Sequence, residues 1–236
     1  MKHGPLMLLQ LGEVPTIIAS SPRVAKEILK DNGEIFSDRA EWFAGNIMGY
    51  GGIGILLSPY GGHWRQLRKI CNLGLFSAKK VQSFMSVREE EVAKLVESVL
   101  SMAGQPVNLS KMIFSSVNDI TCRAIFGEKC KENKIFLALV KEFVEVSATF
   151  QIADLFPSYK FLHGISGVKH RLEKIHQEID KILEEIINEH RQNRAVKMQE
   201  DLLDVLLRLQ NDNKLEFPLE NNCIKALILV SISSKP

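Results

Sequence analysis

Tyr60-Gly61-Gly62-His63-Trp64-Arg65-Gln66-Leu67-Arg68-Lys69 joins a glycine pair to a helix that carries an indole and a guanidinium four positions apart. Positions i and i+4 of a helix lie on one face, one above the other. Trp64 brings a single N–H donor and Arg68 a planar fork of five, and neither side chain accepts. Both sets can converge on one oxyanion, and a carboxylate matches the fork best. The pattern therefore suits a ligand with acidic groups beside an apolar body. The competing reading is a cation–π stack of about 0.5–1 kcal/mol on an exposed helix, and the spacing taken alone favours that stack.

The approach to this helix shifts the balance. Residues 40–62 show no helical or strand period and hold Gly45, Gly49, Gly51, Gly52, Gly54, Gly61 and Gly62, seven of the chain's 15 glycines. Trp42, Phe43, Ile47, Met48, Ile53, Ile55, Leu56 and Leu57 are interspersed among them. Irregular loops this long are uncommon in compact domains unless they are lids or binding loops, or are disordered, and disordered segments lack apolar content. An apolar binding loop is the better expectation, with a wandering core-covering loop as the alternative.

Composition narrows the class. The chain has 236 residues, is 45% hydrophobic and 25% charged, and carries a formal net charge of +2. That is ordinary globular composition, and the charge is too weak and scattered for a nucleic-acid face. Cys71, Cys122, Cys130 and Cys223 are widely spaced with no C-x-x-C pair, which argues against a zinc ribbon or a disulfide framework. The six histidines show no H-E-x-x-H spacing, so no metal site built from protein ligands is expected. Apolar runs such as Ala226 to Val230 fall far below the roughly 18–20 residues that cross a bilayer.

Leu6 to Leu11 and Val14 to Ala19 read as a hairpin around Gly12-Glu13. Ser21 caps a helix with Pro22 at its first position, and Asn32-Gly33 stops it. The remainder is helical: Phe84 to Met102 with Val92, Leu95, Val96 and Val99 on one side, Leu109 to Phe126, Lys134 to Phe150, Val168 to His190, Glu200 to Gln210, and a last helix opening near Leu219. The expected architecture is mainly α with a small N-terminal β-hairpin.

In this order the elements resemble the N-terminal half of a cytochrome P-450, a haem-thiolate monooxygenase, of the plant microsomal type that oxidises terpenoids and other small lipophiles. The resemblance is carried by Gly4-Pro5-Leu6 through Gly12, by Ser20 to Lys30, by Phe36-Ser37-Asp38-Arg39, and by the W-x-x-x-R helix through Trp64 and Arg68. It continues through Ala153 to Ser158 with the helix from Val168 to Arg191, and through Asp201 to Leu207. W-x-x-x-R alone is weak; the ordered set is strong. It spans 1–236 as one partial domain, an incomplete cytochrome P-450 fold, and fades after about residue 229.

The resemblance implies haem as cofactor, with Trp64 and Arg68 holding a propionate. Neither side chain would take part in oxygen chemistry. It implies that 41–57 line the substrate pocket and 150–161 the access channel. It also implies a small lipophilic substrate, an NADPH-dependent flavoprotein reductase and a membrane surface as partners, and the endoplasmic reticulum membrane as location. The family's axial cysteine, which lies in an F-x-x-G-x-R-x-C-x-G context, has no counterpart among the four cysteines, so no catalytic residue and no metal ligand are assigned. The family's E-x-x-R pair and oxygen-activating segment are likewise missing, and so is its membrane anchor. The expectation is a truncated product, poorly soluble alone, with non-enzymatic lipophile binding or plain inactivity as the alternatives to monooxygenase membership.

Overall fold

A computed structural model describes residues 4–127, 134–147, 152–159, 161, 167–192, 200–212 and 215–233. It opens with strands β1 (Leu6–Leu11) and β2 (Val14–Ala19), antiparallel with Leu11 opposite Val14 and Leu6 opposite Ala19. The two-residue connection works because Gly12 sits at φ +63°, which a side chain would resist. Glu13 then donates its N–H to Leu155 O at 2.8 Å, seating the hairpin tip on a distant segment.

Helix α1 (Pro22–Lys26) runs on as a π-helical turn over Glu27–Asp31. Ser21 Oγ accepts the N–H of Val24, and Pro22 occupies the first turn, where its missing donor is not needed. Residues 40–62 are not wholly irregular as expected: Phe43–Met48 forms a short helix, α2. Its N-terminal N–H, that of Phe43, donates to Asp154 Oδ1 at 3.0 Å from 111 residues away. A cap that comes from so distant a part of the chain leaves no local sequence signal.

The Trp64 helix is α3 (Gly62–Ile70), prolonged by a π-helical turn over Cys71–Leu75. Then follow α4 (Ala78–Ser83), α5 (Met85–Ser101), α6 (Leu109–Phe126), α7 (Lys134–Ser147), the single turn α8 (Ile152–Leu155), α9 (Val168–Gln192), α10 (Leu202–Gln210) and α11 (Asn221–Ser233).

The core lies where α6, α7, α9, α10 and α11 meet. Helix α9 buries Leu172, Ile175, Ile179, Leu183 and Ile187, steps of three and four that keep one stripe inward. Each such side chain contributes roughly 1.5–3 kcal/mol by burial, and Ile179→Ala would cost about 2–5 kcal/mol by leaving a cavity. Helices α10 and α11 are apolar on nearly every side. Leu202, Leu203, Val205, Leu206 and Leu207 are all buried in the first, as is every residue from 223 to 229 in the second.

Helix α5 departs from expectation. Val92 and Val96 are half exposed, and the residue it buries is Glu91. Buried charge ties the helix to α6. Arg123, 7% exposed, meets Glu91 at 2.7 Å and Glu90 at 2.8 Å, and Lys94 reaches Glu91 at 2.6 Å. Burial alone would push the Glu91 carboxyl up, but these cations outweigh it and hold the group below its ordinary value. At the far end, His190 Nε2 lies 3.2 Å from Asp201 Oδ2, joining the end of α9 to the cap of α10, where Asp201 and Asp204 form a reciprocal capping box.

Candidate functional site

The apolar loop is held in place by the helix that follows it. Trp64 Nε1 donates to Ile55 O at 3.1 Å, and His63 Nε2 lies 3.0 Å from Ile53 O. Two successive side chains of α3 thus take up two carbonyls of the glycine segment that a helix or sheet would otherwise satisfy. Tyr60 N–H donates to Asp38 Oδ1 at 3.3 Å and closes the segment's far end.

Behind the loop lies an apolar cavity of about 300 Å³. Its walls are Gly45 and Met48 of α2, Leu56 and Leu57 of the loop, Phe143 of α7 and Leu229 of α11. The glycines are there for clearance. A Cβ at Gly45 would come within 2.5 Å of Trp42 Cε3, and one at Gly54 within 2.9 Å of Ala226 Cβ. A cavity of this size and lining is of the kind that binds small apolar molecules, and with so few polar groups it would hold water poorly.

A buried charge network fixes the loop to two helices. Lys225 of α11, 4% exposed, meets Asp180 at 2.7 Å and Glu184 at 2.8 Å, both on α9. Tyr50 OH donates to the same Asp180 oxygen at 2.9 Å. Tyr50 is a non-glycine residue in the left-handed region, at φ 52°, a strain of about 1–3 kcal/mol that surrounding contacts must offset. Burial and the hydrogen bond to Asp180 push its hydroxyl pKa up, so it remains a donor. Burial raises Asp180 and lowers Lys225, yet their mutual contact prevails, leaving Asp180 below and Lys225 above their ordinary values. His176 stacks edge-on to Tyr50 at 4.7 Å, its Nδ1 buried without a partner. Burial holds His176 below its ordinary value, and the opposing pull of Asp180 does not reverse that. The sequence reading missed this network. Its one visible trace is Lys225 within the otherwise apolar run from Cys223 to Val230.

Trp64 and Arg68 do lie side by side. The guanidinium carbon is 5.1 Å from the indole centroid, and Tyr60 tilts against Trp64 at 5.5 Å. Both line a second pocket of about 360 Å³, which Arg39, Ser58 and Tyr60 share. Arg68 is exposed and makes no hydrogen bond or ion pair among the described residues, so its fork is available to an anion. The indole hydrogen is engaged by Ile55. The donor set therefore fits an acidic ligand edge through Arg68 directly, and through Trp64 only if that bond yields. Of the expected access channel 150–161, only 152–159 and 161 are described.

Burial pushes the Cys71 thiol up to about 11 and the Cys223 thiol up to about 12, so neither offers a ready thiolate at neutral pH. Cys122 is buried in α6, and Cys130 lies outside the described residues.

The family model "Cytochrome P450" matches residues 1–232. The chain is 50% identical to desmethyl-deoxy-podophyllotoxin synthase of Sinopodophyllum hexandrum, an alignment covering 97% of this chain and 46% of that protein. It is 45% identical to premnaspirodiene oxygenase of Hyoscyamus muticus, over 96% of this chain and 46% of the relative. Germacrene A hydroxylase of Lactuca sativa is 48% identical over 97% and 46%. The chain thus spans about half the length of these relatives. A solved zebra fish cytochrome P450 with progesterone superposes with a TM-score of 0.76 at 21% identity, covering 99% of this chain and 53% of that one, a likeness of fold.

Proposed function

Because the chain belongs to the cytochrome P450 family, we propose that it forms the substrate-side half of a haem-thiolate monooxygenase that oxidises small lipophiles of terpenoid type. The observation that carries this reading is the continuity of one loop across two pockets. Leu57 lines the apolar cavity, and Ser58 and Tyr60 line the pocket of Arg68. An apolar substrate and an acidic-edged cofactor would thereby be held by neighbouring residues.

In this arrangement Arg68 would hold a haem propionate with its fork, while Trp64 stacks on the guanidinium and its N–H fixes the loop. The indole N–H would join it only if the bond to Ile55 O were released. When bound, haem supplies reductive activation of molecular oxygen with electrons from a flavoprotein reductase. Leu56, Leu57, Phe143 and Leu229 exclude water and orient the substrate by shape. Among the described residues no His, Asp, Glu, Lys or Arg lines the cavity. Among the described residues no helix is long and apolar enough to cross a membrane. The exposed Leu8 and Ile17 of the hairpin, together with Phe161, support contact with an endoplasmic-reticulum membrane surface.

The test is a chimera that joins residues 1–232 to the C-terminal half of premnaspirodiene oxygenase. It should bind haem, give a thiolate-type Soret band with carbon monoxide under reduction, and add one oxygen to a sesquiterpene. A folded chimera without haem would contradict the proposal. Lipophile binding without catalysis is a second reading, favoured by the fact that this chain's own residues line the apolar cavity.

A further inference from the structure

Ser147 is a wall residue of the apolar cavity, at the last position of α7. Its Oγ is buried, with less than 1 Å² exposed, and has no hydrogen-bond partner. That is unusual within this very chain. A buried helical hydroxyl can satisfy itself by bonding back to the carbonyl four residues earlier. Thr121 does so with Val117 O at 2.9 Å, and Ser231 with Leu227 O at 2.9 Å. Ser147 does not take the equivalent bond, and a buried hydroxyl left unsatisfied is unfavourable. Because no hydrogen bond ties the present rotamer, rotation about Cα–Cβ toward the cavity breaks none. Apart from the Trp42 indole, the other cavity-lining side chains among the described residues are apolar.

We infer that Ser147 is the polar anchor of this cavity, and that the ligand it selects is a lipophile bearing an oxygen acceptor, a ketone or an alcohol, in preference to a bare hydrocarbon. The inference rests on the cavity being the lipophile site proposed above. An oxygen on the ligand would satisfy a hydroxyl that the fold leaves without a partner, and a hydrocarbon of the same skeleton would not. A site built around one hydrogen bond discriminates through the group it strands when the wrong ligand binds. The shape of the cavity, set by Gly45, Gly54 and Phe143, then fixes where the oxygen must lie on the skeleton.

The experiment uses two probes with one carbon skeleton, trans-decalin and trans-2-decalone, each competing with the fluorescent apolar probe N-phenyl-1-naphthylamine. It is run on wild type, Ser147→Ala and Ser147→Thr. Ser147→Ala should weaken decalone binding about tenfold and leave decalin binding unchanged. Ser147→Thr, which keeps the hydroxyl, should retain the wild-type preference. Ser147→Ala removes an unsatisfied group, so its thermal midpoint should be no lower than wild type, which separates ligand selection from a folding defect. If both compounds bind and Ser147→Ala shifts them equally, the anchor is overturned while the cavity stands. If neither compound displaces the probe from wild type, the lipophile site itself fails, and the anchor with it.

Discussion

Arg68 and Lys225 are both cations beside the same glycine loop, and they stand in opposite states. Lys225 is buried and met by two carboxylates within 2.8 Å, with a third group, Tyr50, bonded into the same network. Arg68 is exposed and rests on an indole face with no carboxylate among the described residues. The difference separates a cation neutralised within the fold from one that, on the proposed function, is left for a ligand. A neutralised, desolvated charge fixes geometry, because breaking it strands its partners. A guanidinium that is only stacked gives up little when an anion arrives.

The contrast breaks most visibly at Lys225. Lys225→Met should destabilise the chain by about 3 kcal/mol, the low end of the usual range because Asp180 and Glu184 remain more than a third exposed to water. Urea unfolding monitored by circular dichroism measures it. Gly45→Ala comes next, at about 2 kcal/mol, since the new Cβ must displace Trp42 and Leu57. It should also abolish apolar-probe binding while leaving the Arg68 pocket intact. Tyr50→Phe removes one hydrogen bond and should cost about 1 kcal/mol, with faster probe release as the loop loosens. Arg68→Ala should change stability by no more than about 0.5 kcal/mol, the smallest effect of the four, although under the proposed function it is the one expected to weaken cofactor binding.

Acidity sharpens the same comparison. The folded chain keeps His176 neutral to a lower pH than the unfolded chain does. The unfolded state therefore takes the proton first, and stability should decline as pH falls below the ordinary value of 6.5. Asp180 adds a further loss at lower pH, as its depressed carboxyl is finally protonated. His176→Phe should flatten the first decline and leave the second, as seen by urea midpoints across the pH series.

The fold was legible wherever its cause is local. The hairpin around Gly12, the Ser21 cap with Pro22 and the stripe of α9 each follow from residues a few positions apart. The juxtaposition of Trp64 and Arg68 follows from helical spacing. What escaped reading depends on partners distant in sequence. Asp154 caps α2 across 111 positions, which is why a helix went unseen in 40–62. Glu91, not Val92 or Val96, is the buried residue of α5, because Arg123 on the neighbouring helix waits for it. Trp64 showed a donor aimed at a ligand; the structure gives that donor to Ile55 O, a carbonyl exposed by the glycine loop. Ser147 was not singled out because a lone serine at a helix end has no pattern; only the cavity beside it gives it meaning.

The central claim, that Arg68 grips the acidic rim of a porphyrin, is tested most directly by equilibrium titration with iron protoporphyrin and with its dimethyl ester, on wild type and Arg68→Ala. The account predicts that the variant loses affinity for the free acid, by roughly tenfold or more for a charge-assisted pair, and binds the ester as wild type does. Equal loss for both porphyrins, or no loss for either, would contradict it.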